Sequence, residues 1–267
     1  MKLGVIGSGK MATALVKGAI TSGLIPKENV LGVARSQASR DRFTEATGAV
    51  STSSLDEAVE NCDVLLLGTK PQDVPTVLGE KIFKKAGGKL LISVAAGVTL
   101  DSLEKMTPSG LRVIRTMPNT PSLVGKGAAG FCRGSRATDE DCEATKALLS
   151  AVGLCTEVPE KLMDAVTGVS GSGPAYIYLI IEALADGGVK AGLPRVDALK
   201  LAAQTVSGAA EMVIQTGEHP AVLKDQVTSP GGTTIAGVAV LESKNVRSAM
   251  IEAVMASCNR AKELGKA

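Results

Sequence analysis

A glycine-rich loop near the start of the chain constrains the fold more than any other feature. Gly7-Ser8-Gly9-Lys10-Met11-Ala12 follows the apolar run Lys2–Ile6 and opens a helical pattern over Met11–Gly23. In a G-x-G-x-x-A pattern, the first Gly permits a tight turn and the second lets the backbone approach a pyrophosphate. The Ala lets the helix pack closely on the strand. Because a helix N-terminus presents free N–H groups to anions, the loop predicts a dinucleotide site.

Strand and helix patterns alternate through about residue 155. The predicted strands are Lys2–Ile6, Val30–Ala34, Asp63–Leu67, Lys89–Val94, Arg112–Arg115, Ala128–Cys132 and Leu154–Val158. The predicted helices between them include Met11–Gly23, Arg40–Thr47 and Ser54–Asn61. Alternation at this spacing is typical of βαβ units and a mostly parallel sheet. We therefore predict an α/β fold with a Rossmann-type dinucleotide-binding domain over residues 1–160.

The pattern changes from about Lys161 to Ala-rich helices. The predicted helices are Tyr176–Val189, Arg195–Thr216, Pro220–Val227, Thr234–Ser243 and Val246–Leu264. Their small residues allow close helix packing, and their many apolar positions indicate burial against another subunit. Residues 161–267 are thus predicted to form an all-helical substrate-binding and dimerisation domain.

The end of the second predicted strand bears on the choice of dinucleotide. NAD-preferring sites usually place an Asp or Glu there for the ribose 2′-hydroxyl, whereas this strand runs into Arg35-Ser36. Arg35, with Ser36 and Ser39, is suited to a 2′-phosphate, although Arg35 as a solvated surface residue is the alternative. The sequence favours NADPH and leaves NADH open.

Three further loops follow predicted strands at the same edge of the sheet. They are Gly68–Gln72, Ser93–Gly97 and Met117–Pro121. Ligands of open α/β sheets bind at the carboxyl ends of the strands, so these loops either line a nicotinamide or are ordinary turns.

A second glycine cluster, Ser229-Pro230-Gly231-Gly232-Thr233-Thr234, precedes an apolar helix. Gly-Gly before a helix exposes N–H groups to an anion. The cluster holds no Lys or Arg, so a small carboxylate fits it better than a pyrophosphate. Thr233 or Thr234 is predicted to cap this helix, and a plain capped helix start without a ligand is the alternative. A third cluster, Ser170–Tyr176, could face the same pocket.

Composition excludes several classes of function. The formal net charge is +2 and aromatic residues make up 2% of the chain, which argues against a nucleic-acid interface. One His and five dispersed Cys predict neither a metal site nor a disulfide framework. The single His219 is more consistent with a helix cap than with catalysis. No segment predicts a membrane span or secretory signal, so we expect a cytoplasmic protein.

These residues resemble the pyrroline-5-carboxylate reductase family over essentially the whole chain. The matching segments are Gly7–Ala14, Lys70-Pro71, Ala95–Val98, Met117–Pro121, Asp164–Gly168, Ser170–Tyr176, Ala185–Val189, Leu193-Pro194, Ser229–Ile235 and Leu241-Glu242. The sequence departs from the pattern at Leu55 and Gln226, where relatives can carry a cofactor-contacting Asn.

The resemblance implies reduction of 1-pyrroline-5-carboxylate to L-proline by hydride transfer from NAD(P)H. It also implies an interleaved homodimer through the C-terminal helices and further assembly, commonly to a decamer. By position, the family's substrate contacts fall on Glu160, Thr233 and Thr234, with the backbone of Ser229, Gly231 and Gly232 nearby. Its cofactor contacts fall on Ile6, Gly7, Ser8, Gly9, Lys10, Met11, Arg35, Ser36, Lys70, Pro71, Val94, Ala95, Ala96 and Asn119.

Within this scheme, Thr234 is the candidate catalytic residue. Its hydroxyl could hydrogen-bond the ring nitrogen or relay a proton, while the start of its helix binds the carboxylate. Two alternatives stay open. One is a related imine or hydroxyacid reductase of the same two-domain plan, and the other is an NADPH-binding redox sensor without turnover.

Overall fold

The computed structural model describes residues 1–265 and divides the chain into two compact units. The first unit contains residues 1–172 together with the chain from Met255 onward, and the second contains Gly173–Val254.

The first unit is built on one sheet of eight strands within the described residues. The strands are β1 (Leu3–Ile6), β2 (Val30–Val33), β3 (Val50–Thr52), β4 (Val64–Leu67), β5 (Leu90–Ser93), β6 (Arg112–Met117), β7 (Gly127–Arg133) and β8 (Gly153–Glu157). Their order is β3-β2-β1-β4-β5-β6-β7-β8, and every neighbouring pair is parallel except β6 with β7. The predicted α/β fold with a mostly parallel sheet is confirmed, and β3 is the one strand that the sequence patterns missed.

The central strands are buried on both faces, which is why they read as continuous apolar runs. Along β4, Leu66 packs into the core on one face of the sheet, whereas Leu65 and Leu67 pack into the core on the other. The order of strands reverses direction between β1 and β4. At such a switch point the carboxyl ends of the strands leave a crevice, which is where open α/β sheets bind ligands.

Seven α-helices accompany the sheet within residues 1–172. They are α1 (Lys10–Thr21), α2 (Gln37–Thr47), α3 (Leu55–Asn61), α4 (Val74–Leu78), α5 (Leu100–Met106), α6 (Asp139–Ser150) and α7 (Met163–Val166). A π-helical turn, Thr167–Gly171, continues from α7. The first three helices match the predicted ones within three residues at each end, and α4 to α7 were not predicted.

The second unit is helical, as predicted. It contains α8 (Gly173–Lys190), α9 (Arg195–Thr216), α10 (Pro220–Gln226), α11 (Thr233–Ser243) and the first part of α12 (Val246–Leu264). Its buried core is small: Ala185 of α8 packs against Ala198 and Ala202 of α9, with Ile181 and Val189 beside them. The Tyr176 hydroxyl donates a hydrogen bond to the Ala253 carbonyl at 3.2 Å.

The compact units differ from the predicted domains, residues 1–160 and 161–267, at both ends of the helical part. Met163 is fully buried in the core of the first unit. The Ser172 and Ser257 hydroxyls lie 2.7 Å apart, and Cys258 is buried. Residues 161–172 and the end of α12 therefore pack with the nucleotide-binding sheet. The amino-acid composition does not change at residue 172 or at Met255, so the sequence gives no sign of these two boundaries.

Candidate active site

A large cleft opens at the carboxyl ends of the β-strands, beside the glycine-rich loop. Its volume is about 1540 Å³, enough for a dinucleotide. Of the predicted cofactor contacts, the structure brings seven into its lining: Ile6, Gly7, Ser8, Gly9, Lys10, Arg35 and Lys70. Leu55, one of the two departures from the family pattern, lines it as well.

The first glycine of the loop and the glycine beside it at the end of β4 leave no room for a side chain. Gly7 has a φ of +88°, and a Cβ there would lie 2.8 Å from the Thr69 methyl carbon. A Cβ on Gly68, at the end of β4, would lie 2.6 Å from the Ala12 Cβ. The ends of β1 and β4 are joined directly, because Gly68 N–H donates to the Ile6 carbonyl at 2.8 Å. These contacts give the loop the close backbone path that a pyrophosphate needs.

Helix α1 starts differently from four of the other six α-helices of the first unit. Ser36, Ser54, Thr99 and Thr138 cap α2, α3, α5 and α6 with their side chains. Helix α1 instead begins after Gly9 with no side-chain cap and no acidic residue in its first turn. Its first N–H groups thus have no internal anion, so they can bind one from outside the chain.

At the far end of the cleft, a polar cluster surrounds the β2–α2 loop. The Ser36 and Ser39 hydroxyls lie 2.9 Å apart, and Arg42 donates to the Ser39 hydroxyl at 3.1 Å. Arg40 donates to the carbonyls of Ala34 and Arg35, both at 2.8 Å, which fixes the loop. Arg35 is highly exposed and makes only a 3.9 Å ion pair with Asp73. Two cationic side chains, Arg35 and Arg42, therefore line the cleft together with the Ser39 hydroxyl.

The sequence patterns missed the arginines at positions 40 and 42. Both lie on α2, after the Arg35-Ser36 pair that the sequence patterns singled out. The helix brings their side chains close to the end of β2. A count of Arg residues within two turns of the helix start would have found them.

The remaining predicted cofactor residues do not line the cleft. They are Met11, Ser36, Pro71, Val94, Ala95, Ala96 and Asn119. Asn119 is 7% exposed. Its side-chain amide donates to the Ser170 carbonyl and accepts from Ala128 N–H, both at 2.9 Å. In this structure Asn119 joins the β6–β7 connection to the π-helical turn.

The third glycine cluster contributes to packing at the same place. A Cβ on Gly171 would lie 2.6 Å from the Met117 methyl carbon, so only glycine fits there without a shift. A pocket shared with the second glycine cluster stays a prediction.

Glu160, a predicted substrate contact, is the centre of a hydrogen-bonded group. Its Oε1 accepts from Leu100 N–H at 2.7 Å, at the start of α5, and from the buried Arg115 guanidinium at 3.1 Å. Asp164 lies 3.9 Å from the same guanidinium. Nearby, burial raises the pKa of the Cys132 thiol to about 12, with a further contribution from Glu160, so this thiol is not a nucleophile at neutral pH.

The second glycine cluster, in the helical unit, has the same start geometry as α1. Gly232 precedes α11 with φ −79° and ψ 172°, close to the −76° and 172° of Gly9. Helix α11 has no side-chain cap and no acidic residue in its first turn. Gly231 has a φ of +68°. The prediction that Thr233 or Thr234 caps this helix is wrong, because Gly232 occupies the cap and Thr233 is the first helical residue.

Consequently the Thr233 and Thr234 side chains are exposed and not committed to the helix end. Gly232 N–H donates to the Ser229 carbonyl at 3.0 Å, and a Cβ on Gly232 would overlap the Ser229 hydroxyl. Ser229, Gly231 and Gly232 are thus folded into one tight turn ahead of both threonines.

His219 is a helix cap, as predicted: its Nδ1 accepts from Ala221 N–H at 3.2 Å at the start of α10. Within residues 1–265, no group of three or more His, Cys, Asp or Glu side chains is arranged to hold a metal ion. None of the helices in the described part of the chain is long and apolar enough to cross a membrane.

Comparison with known proteins gives the family. Residues 160–264 match the family model described as pyrroline-5-carboxylate reductase dimerisation, and residues 2–97 match NADP oxidoreductase coenzyme F420-dependent. The chain is 48% identical to pyrroline-5-carboxylate reductase of Arabidopsis thaliana, over 99% of this chain and 96% of that protein. It is 50% identical to pyrroline-5-carboxylate reductase of Synechocystis, over 100% of this chain and 99% of that protein.

This chain belongs to the pyrroline-5-carboxylate reductase family. The predicted family is therefore confirmed. A solved pyrroline-5-carboxylate reductase from Coxiella burnetii superposes with a TM-score of 0.94 at 38% identity, covering 100% of this chain and 99% of that one. A pyrroline carboxylate reductase from Plasmodium falciparum, solved with NADP bound, gives a TM-score of 0.86 at 35% identity, covering 99% and 98%.

Proposed function

We propose that this reductase-family chain converts 1-pyrroline-5-carboxylate to L-proline, the last step of proline biosynthesis, using NADPH, with NADH as a possible substitute. The observation that carries the proposal is identity of 48% and 50% to pyrroline-5-carboxylate reductases over nearly their full length. The two glycine-capped helix starts support it, because cofactor and substrate are both anions.

The first helix start accounts for the cofactor. The N–H groups after Gly7 and Gly9 bind the pyrophosphate, and Lys10 adds positive charge at the same end of α1. Arg35 and Arg42, with the Ser39 hydroxyl, would bind the 2′-phosphate of NADPH, and Ser36 would act through its hydrogen bond to Ser39. When bound, the reduced nicotinamide supplies the hydride that the imine carbon accepts.

Other members of the predicted cofactor set act through their backbone or by packing. Lys70 and Pro71 follow β4, and Val94, Ala95 and Ala96 follow β5. Ile6, Ser8 and Met11 complete the loop. Asn119 holds the π-helical turn in place rather than contacting the cofactor.

The second helix start accounts for the substrate. The N–H groups at Gly231 and Thr233 bind the carboxylate, and the turn closed by the Gly232 N–H on the Ser229 carbonyl fixes their direction. The Thr234 hydroxyl hydrogen-bonds the ring nitrogen, donating to the neutral imine or accepting from the N–H of the protonated one. A proton from water, or one already on the imine nitrogen, completes the addition across the C=N bond. Glu160 stays a predicted substrate contact.

The helical unit also carries the oligomer interface. Only three alanines are buried within Gly173–Val254, whereas Leu179, Val196, Ile214 and Ile251 are exposed by more than half. Such a surface needs a partner to cover it, and residues 160–264 match a dimerisation family. We propose a homodimer through these helices, assembly of dimers into a decamer, and a cytoplasmic enzyme with no nucleic-acid or membrane partner.

The test is direct. Purified protein receives NADPH and 1-pyrroline-5-carboxylate, cofactor absorbance is followed, and proline is quantified. We expect one proline per NADPH oxidised. Oxidation with a hydroxyacid-type carbonyl substrate instead would favour the related reductase, and tight NADPH binding without turnover would favour the redox sensor.

A further inference from the structure

The Thr69 hydroxyl is an unexplained polar group in the described part of the chain. Its oxygen is buried and has no hydrogen-bond partner within residues 1–265. Buried hydroxyls in folded proteins are nearly always paired, because an unpaired one loses its bonds to water and gains nothing in return. A valine would fill the same space without this cost.

Thr69 lies at the switch point of the sheet. It follows β4, the strand next to β1, and the order of strands reverses between these two. Its methyl carbon and its backbone nitrogen both lie 2.8 Å from the position that a Gly7 Cβ would take. Thr69 also lines the cleft. The side chain therefore stands against the first glycine of the pyrophosphate loop, and β1 lies between its strand and β2, the strand that precedes the Arg35 loop.

We infer that the Thr69 hydroxyl is a binding group for the cofactor, pairing with an oxygen of its nicotinamide half, on the phosphate or the ribose of that half. The inference rests on the proposed function, since it assumes a dinucleotide in the cleft. No protein partner holds the hydroxyl in its present direction. A change between staggered χ1 rotamers turns it to the cleft, and the hydrogen bond to the ligand then repays the rotation.

This role predicts that the stability of the free protein and its affinity for the cofactor respond differently to loss of the hydroxyl. If the hydroxyl serves only the ligand, its removal leaves the free protein as stable as before, or more stable, and weakens cofactor binding. If the hydroxyl instead stabilises the fold, its removal lowers the stability of the free protein.

The experiment compares Thr69→Val, which removes the hydroxyl at nearly constant shape, with Thr69→Ser, which keeps it. Dissociation constants are measured by fluorescence titration with NADPH and with adenosine 2′,5′-bisphosphate, which lacks the nicotinamide half. Thermal unfolding is measured without ligand. Should Thr69→Val fail to fold, Thr69→Ala replaces it.

We expect Thr69→Val to bind NADPH about tenfold more weakly, as for loss of one hydrogen bond. Binding of the bisphosphate should not change, Thr69→Ser should bind NADPH like wild type, and Thr69→Val should unfold at the wild-type temperature or above it.

Unchanged NADPH binding by Thr69→Val would overturn the inference and leave the proposed function intact. So would an equal loss for the bisphosphate, or a Thr69→Ser variant as weak as Thr69→Val, because either result would assign the effect to loop packing. Wild-type protein that does not bind NADPH would instead remove the proposed function, and the inference with it.

Discussion

At the scale of single residues, the proposed substrate site depends on threonine side chains that are not used to cap their own helix. Gly232 caps α11, so the Thr234 hydroxyl is exposed and available to substrate. Thr234→Ala should therefore lower kcat by about tenfold, the effect of one hydrogen bond made in the transition state, with the NADPH dissociation constant nearly unchanged. Steady-state kinetics and cofactor titration measure the two quantities.

Thr234→Ser keeps the hydroxyl and should retain most of the turnover. His219→Gln is the second control, because the imidazole only caps α10. A Thr234→Ala enzyme with full turnover would remove Thr234 from the mechanism.

The second residue-scale prediction concerns coenzyme preference. Arg35 is almost fully exposed and lines the cleft, so its charge is available to a 2′-phosphate. Arg35→Gln should raise the KM for NADPH by about tenfold and leave that for NADH unchanged, because only NADPH carries the phosphate. Kinetics with both coenzymes test this, with the exposed Arg136→Gln as the charge-matched control. An equal change for both coenzymes would contradict it.

At the scale of elements, α6 shows how a buried carboxylate fixes a helix start. Burial alone would raise the pKa of Asp141, but hydrogen bonds from Arg112 and Thr138 N–H hold it below its ordinary value. Arg112 donates to the two carboxylate oxygens at 2.7 and 3.1 Å. A carboxyl with a lowered folded pKa contributes stability above its unfolded pKa and loses that contribution as pH falls through the folded pKa.

Asp141→Asn should therefore lower the free energy of unfolding by about 2 kcal/mol at neutral pH. The difference in free energy of unfolding between Asp141→Asn and wild type should become smaller as pH falls below about 4. Denaturant unfolding at several pH values measures it. Asp101→Asn, which removes an exposed ion pair with Lys105, should cost less than about 0.5 kcal/mol. A gap for Asp141→Asn that is constant with pH would contradict the assignment.

The elements also show where sequence reasoning succeeds and fails. Buried parallel strands and long helices are predicted well, because their apolar patterns are continuous: Arg195–Thr216 and Val246–Leu264 match at both ends. Strand β3 was missed because it has three residues and Val50 is exposed. Helix α6 begins with three acidic residues that hide its apolar spacing, although the capping box of Thr138 and Asp141 was a usable signal.

Side-chain partners are predicted least well. The loop at Gly7 follows from local rules, whereas Glu160 meets Leu100 across 60 residues of sequence and no local pattern encodes that contact. The same holds for Asn119 with Ser170. The sequence therefore locates the binding loops, and the fold decides which neighbouring side chains face a ligand.

At the scale of the whole molecule, the exposed apolar helices predict dependence on a partner subunit. Leu179 on α8 is 66% exposed in the single chain. Leu179→Asp should convert the dimer to monomer and lower the unfolding temperature, because a charge at a buried interface loses its hydration. Sedimentation velocity and thermal unfolding measure both. Val50→Asp, at the exposed edge strand β3 and itself 67% exposed, is the matched control and should leave the assembly intact. A dimeric Leu179→Asp protein would contradict the proposed interface.

The return of α12 to the first unit limits how this protein can be cut. A gene fragment that stops at residue 160 or 172 would delete the partner of Ser172 and expose the surface that Cys258 and Ala261 cover. A stand-alone nucleotide-binding module therefore has to be stitched from two pieces of coding sequence, residues 1–172 and the segment from Met255, with a short linker in place of residues 173–254.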